Sequence, residues 1–308
     1  MKRARTGVNV YTRDCVTGNL SFLQEMENSN MKYSEFRDRA FVEIIKYLPE
    51  EYSGYTVKLE SIPKVNHTKE CLHIRPDDQT SVVPNLYVDD MYNMYMKGNS
   101  FEETMRMAAE YYVAGLEMGK QFSMEMDQAI HEKNIVFQLV NTNRNIGMIK
   151  DKPHRSWLNL TIIYRAVISC PDNGFYSAVI TEEIARDHGW TEDELYEFAV
   201  KNTPELMPLS VLEVTEAFNI MTNEHKTMGA GVVLYEKALA EQAEEYDDDL
   251  YLIPSSIHEM LVLPACSNER DELVSILRDC NRKVLDVHDI LSDSIYFYEK
   301  KTGMISIA

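Results

Sequence analysis

His258 and Glu259 stand side by side, an imidazole next to a carboxylate, and Ser255 and Ser256 precede them closely. In a zinc hydrolase helix, a second histidine four residues on lets both rings face the metal while the glutamate activates water. Val262 occupies that position here, and the other such pair, His131-Glu132, has Ile135 there. No metal or other cofactor is therefore expected. The serines keep another chemistry open, because a hydroxyl and an imidazole in one turn could meet at a surface groove. A nucleophile also needs a base oriented by a third group and donors for the oxyanion. Neither a G-x-S-x-G elbow nor an S-x-x-K motif supplies that setting. The alternative is that the hydroxyls satisfy backbone groups of the turn.

Asp89 and Asp90, between Tyr87 and Tyr92, could hold a cation or a polar ligand, or could sit in the first turn of a helix, where the dipole favours negative charge. The run Asp247 to Asp249 lacks the spacing of a calcium loop and suits a solvated helix exit. Gly229-Ala-Gly231 lacks the lysine-serine ending of a phosphate loop and the third glycine of a dinucleotide fingerprint. Close backbone packing explains it. Arg144 and Arg155, near Trp157, do not make the aromatic-interleaved patch that grips single strands.

The elements that must position these residues follow from periodicity. Phe36, Ala40, Phe41, Ile44, Ile45 and Leu48 predict an amphipathic helix capped by Ser34 and closed by Pro49. Tyr55 to Leu59 and Leu72-Ile74 read as a hairpin around a polar loop at Asn66–Lys69. Ser100-Phe-Glu-Glu103 has capping-box spacing and opens a helix whose stripe is Phe101, Met105, Ala108, Ala109, Tyr112 and Leu116. Its methionines and tyrosines read as packing. Period two then marks strands at Ile135–Val140 and Trp157–Ile168, with Pro171-Asp-Asn-Gly174 turning into a strand at Phe175–Ile180. Two helices follow, the second opened by Thr191-Glu-Asp-Glu194 and closed by Pro204 and Pro208.

Downstream, Leu212, Val214 and Phe218 suggest a strand and Val232–Tyr246 a helix. Leu250–Ile253 and Met260–Leu263 read as strands joined by a Pro254-Ser-Ser turn, before a helix at Asp271–Val284. Tyr296 and Ile305 belong to a last hairpin with Gly303 in its turn. Short sheets alternating with helices give an α+β class with antiparallel sheets, packed helices and two subdomains. Residues 1–30 are expected to be a leader, disordered or upstream of the true start. Residues 31–130 form the N-terminal α+β subdomain, and residues 131–308 the C-terminal one with its meander.

Of 308 residues, 44% are hydrophobic, enough for a core. Fifty acidic against 31 basic residues give a formal charge of −19. A field of that sign repels phosphate backbones and anionic lipids, which leaves imitation of a nucleic acid as the sharp alternative to plain solubility. Five scattered cysteines, Cys15, Cys71, Cys170, Cys266 and Cys280, without a CxxC pair or a signal peptide, imply free thiols in a reducing compartment. No apolar stretch approaches a membrane span, so the expected location is the cytoplasm.

Four segments resemble a known family: Phe41-Val-Glu-Ile-Ile-Lys-Tyr-Leu-Pro-Glu-Glu-Tyr52, Leu86-Tyr-Val-Asp-Asp-Met-Tyr92, Leu252-Ile-Pro-Ser-Ser-Ile-His-Glu259 and Leu291-Ser-Asp-Ser-Ile-Tyr296. Together they look like the bacterial domain-of-unknown-function family 5688, over nearly everything from Met31 onward. The C-terminal half is also similar in layout to domain of unknown function 1444. These resemblances imply a bacterial, cytoplasmic, mostly Gram-positive setting and carry no catalytic residue over.

Because every catalytic template fails at a required position, the leading expectation is a non-enzymatic binding or protein-interaction module for an unknown protein partner or small ligand. The second is a hydrolase or transferase using Ser255, Ser256, His258 and Glu259, helped by Asp89 or Asp90 across a cleft. The third is an acidic nucleic-acid mimic.

Overall fold

The computed structural model describes residues 31–75, 83–169, 176–215 and 217–308. The leader expected over residues 1–30 and the Pro171–Gly174 turn lie outside them. The architecture is α+β with antiparallel sheets, as expected. The chain divides into two compact units: one holds the segment ending at Glu60 together with Glu70–Gly115, the other Ser61–Lys69 together with Leu116–Ala308.

In the first unit, helix α1 (Tyr33–Glu43) continues into a 3-10 turn at Ile44–Tyr47. Phe36, Ala40, Ile44 and Leu48, four apart, are its buried face. Phe41 stays exposed. The cap is Lys32 and not Ser34, because the first turn already closes on the Lys32 carbonyl, which accepts from Phe36 N–H at 2.9 Å. Strands β1 (Thr56–Lys64), β2 (His67–Arg75) and β3 (Leu86–Tyr87) form a three-stranded sheet in that order, the tip of the β1–β2 hairpin, Ser61–Lys69, belonging to the second unit. The loop expected at Asn66–Lys69 is strand from His67 on. A tight turn suffices because Asn66 adopts φ 63°, which asparagine tolerates.

Helix α2 (Val88–Met96) leads into α3 (Phe101–Ala129). The capping box forms as expected: Glu103 N–H donates to Ser100 Oγ at 3.2 Å, and Ser100 N–H to Glu103 Oε2 at 2.8 Å. Phe101, Met105, Ala108, Ala109 and Tyr112 are buried. The helix passes close to Pro84, whose Cγ would lie 2.5 Å from a Cβ at Gly115.

In the second unit, β4 (Ile135–Asn141) precedes the short helix α4 (Ile146–Ile149) and β5 (His154–Trp157). β6 (Leu160–Ser169) pairs with β4 along one edge, and with β5 and then β7 (Tyr176–Val179) along the other. The single strand expected from Trp157 is thus a hairpin, turned at Leu158 with φ 52°. Helices α5 (Glu182–His188) and α6 (Glu192–Leu206) follow. Thr191 caps α6 in a full capping box, and Glu192 accepts hydrogen bonds from Tyr164 and from Arg155 Nη2, the latter at 2.7 Å. Pro204 does not stop this helix.

β8 (Leu209–Thr215) and β9 (Phe218–Asn223) form one hairpin where a single strand was expected. The helix expected over Val232–Tyr246 is a 3-10 turn at Gly229–Leu234 and then α7 (Ala238–Tyr246), broken by Lys237 at φ 70°. β10 (Leu250–Ser256), β11 (Glu259–Pro264), helix α8 (Arg270–Lys283), β12 (Tyr296–Glu299) and β13 (Met304–Ile307) complete the chain. They build a six-stranded sheet ordered β13-β12-β10-β11-β9-β8. Gly303 turns the last hairpin at φ 69°.

The inner faces of this sheet and of the β4–β7 sheet share one core. Phe137, Ile162 and Tyr164 meet Met221, Leu252 and Met260, with Leu195 of α6 and Val232 packed in. Each such burial stabilises by about 1.5–3 kcal/mol, which holds the period-two register of β4 and β6. β4 is buried on both faces.

Candidate binding site

Pro254, Ser255 and Ser256 lie on β10 and not in a turn; the turn is Ile257-His258. At Pro254 the strand is paired only with β11, since β12 pairs with β10 at Leu250–Leu252, and an open strand edge is where proline is tolerated. A bulge falls between Pro254 and Ser256, which re-aims the strand end into the turn. His258, half-exposed, meets two partners through its ring. Nδ1 accepts from Met228 N–H at 3.2 Å, and Nε2 lies 3.4 Å from Asp289 Oδ1. The ring proton therefore sits on Nε2, facing the carboxylate.

The hydroxyls are used elsewhere. Ser256 Oγ accepts from His258 N–H at 3.0 Å, and Ser255 Oγ donates to Glu259 Oε1 at 2.9 Å. His258 is thus brought to an acid, Asp289, while the serines serve the bulge and the strand. Beneath the turn, Thr222 Oγ1 donates to the His258 carbonyl at 2.8 Å. A methyl on Gly229 would run into both of those oxygens and come within 2.9 Å of Asn223 N. Gly231 meets the Phe137 ring. The glycine pair provides close packing.

Asp89 and Asp90 occupy the first turn of α2, in the first unit, whereas the His258 turn belongs to the second. Tyr33 donates to Glu70 Oε2 at 2.9 Å. Burial first, then hydrogen bonds to Glu70 and Asp89, drive its phenol far above the ordinary tyrosine range. Asp90 lines a recess of about 380 Å³ between α2 and the outer side of α3. Leu86, Met91, Met94, Met107 and Tyr111 contribute its mainly apolar wall, with Asn85 and Tyr87 at the β3 end.

Such a volume and mix, apolar with few polar groups, is that of small-ligand pockets. Methionine walls adapt to varied shapes. Met107 and Tyr111 are 45% and 62% exposed. They stand one turn apart on α3, beside the stripe that identifies its core face. Their spacing is the signal that reading every methionine and tyrosine of this helix as packing passes over. Asp289, thirty-one positions from His258, leaves no local signal.

The remaining charged candidates are engaged. Arg155 pairs with Glu192, and Arg144 Nη2 lies 3.8 Å from Asp293. Asp247 pairs with Lys300 at 2.6 Å and is held below the usual carboxylate range by it. Among the described residues no group of three or more His, Cys, Asp or Glu side chains is placed to hold a metal ion. No described helix is long and apolar enough to cross a membrane.

Fold and recess together define an antiparallel α+β protein with an apolar, carboxylate-edged recess in its first unit. The chain belongs to a family of unknown function, DUF5688, whose profile matches residues 33–222 and 214–300. No curated protein and no solved structure matches it.

Proposed function

We propose that this is a binding protein, acting in a bacterial cytoplasm, whose first unit takes the apolar part of a small ligand or of a partner's side chain, with a cationic end held near Asp90. The observation that carries this reading is the recess itself, apolar along Met91, Met94 and Met107 and bordered by one carboxylate residue. The chain's −19 charge favours a cationic over an anionic ligand. Cys71, Cys266 and Cys280 are free thiols, in keeping with a reducing compartment.

Octylammonium and octanoate, of equal chain length, test the reading by titration calorimetry. Octylammonium is expected to bind at least about tenfold more tightly, and Asp90→Asn to remove most of that preference, since about 1.4 kcal/mol of charge attraction is a factor of ten. Equal affinity for both, or no binding of either, would contradict it.

A further inference from the structure

Arg165 lies on the face of β6 turned away from the Tyr164 core, opposite Val136 of β4 and Val179 of β7. Its guanidinium is framed by neighbouring strands. Nε donates to Ser177 Oγ at 2.8 Å, Nη2 to the Ser177 carbonyl at 3.1 Å, and Nη1 to Gln138 Oε1 at 3.3 Å. Among the described residues three of its five N–H donors are met, leaving one on each terminal nitrogen. All three acceptors are neutral.

Among the described residues the other arginines without a carboxylate partner, Arg106, Arg186 and Arg278, are exposed. Arg37, Arg39, Arg75, Arg144 and Arg155 each have a carboxylate oxygen at 2.7–3.8 Å. Among the described residues Arg165 makes no such ion pair, although it is set deeper. Val136 and Val167 pack with Met207 on one side of it, and Val140 and Ile163 with Met148 on the other. Burial pulls its guanidinium down to about 10, so at neutral pH it remains charged, with no carboxylate among the described residues to compensate it. Such a cation is costly, and a neutral side chain of similar size would relieve the cost. Arg165 is nevertheless only partly covered.

We propose that Arg165, held in place by Gln138 and Ser177, is a subsite for a small oxyanion, whose paired oxygens take the remaining N–H of Nη1 and of Nη2. The planar fork suits a carboxylate or a phosphate. In a chain of charge −19, anions are repelled from most of the surface, and a sheltered guanidinium with no competing carboxylate among the described residues is where one can be retained. The subsite lies in the second unit and does not depend on the recess near Asp90.

Thermal unfolding of the full chain at pH 7 tests this, in chloride, acetate and inorganic phosphate at equal ionic strength. Acetate or phosphate is expected to raise the wild-type Tm by about 2 °C or more over chloride, and the salt that acts tells carboxylate from phosphate. Arg165→Gln should lose that rise. Gln138→Glu, which supplies its own carboxylate beside the guanidinium, should melt higher than wild type in chloride and gain nothing from either oxyanion. Identical wild-type melting in all three salts overturns the proposal whether or not the variants fold. So does an undiminished rise in Arg165→Gln.

Discussion

At the scale of single residues, contacts between distant positions decide what the side chains do. Gly229 shows it most sharply: Thr222 Oγ1 and the His258 carbonyl occupy the space a methyl would need, and they are bonded to each other. Gly229→Ala is therefore expected to cost about 2 kcal/mol or more, from overpacking and a broken buried hydrogen bond. Urea denaturation followed by circular dichroism measures this, and a loss below about 0.5 kcal/mol would contradict the packing described. The sequence shows that Gly229-Ala-Gly231 is built for close approach, but not what approaches. It likewise shows Ser255, Ser256, His258 and Glu259 as one cluster without showing their pairing. The imidazole's partners, Met228 and Asp289, come from other parts of the chain, and the bulge in β10 directs the Ser256 hydroxyl to the His258 N–H.

At the scale of elements, local chemistry governs starts better than ends. Both capping boxes, at Ser100 and Thr191, form as their spacing predicts. Thr191→Ala is expected to destabilise by about 1 kcal/mol at neutral pH. The backbone N–H and hydroxyl of Thr191 hold the Glu194 carboxyl below its usual range. A carboxyl depressed on folding contributes stability above its unfolded pKa and loses it as pH falls through the folded value. The gap between variant and wild type should therefore narrow below about pH 4, and a gap constant from pH 7 to pH 3 would contradict that role for Glu194. Ends and turns are less legible. Leu158, Lys237 and Asp247 all turn the chain at positive φ without the glycine that signals such turns. Pro204 lies inside α6 and Pro254 inside β10: the first falls in the last turn of its helix, and the second where β12 no longer pairs with its strand.

At the scale of the molecule, the α+β class and the antiparallel pairing were legible, since period two and period 3.6 alternate clearly along the chain. The recess was half legible. Asp90 stands out by type, whereas the wall facing it combines Met94 of α2 with Met107 and Tyr111 of α3, residues that read singly as packing. Their partial exposure beside a buried stripe is what makes a recess of that face, and an apolar recess bordered by a carboxylate residue is the basis for proposing a binding protein. The most direct test labels the methionine methyl groups and follows their NMR signals as octylammonium is added. The expected result is a saturable shift of Met91, Met94 and Met107, with buried Met221 and Met260 of the second unit unmoved. Shifts spread over methionines of both units, or none at Met94 and Met107, would contradict a binding site at the recess.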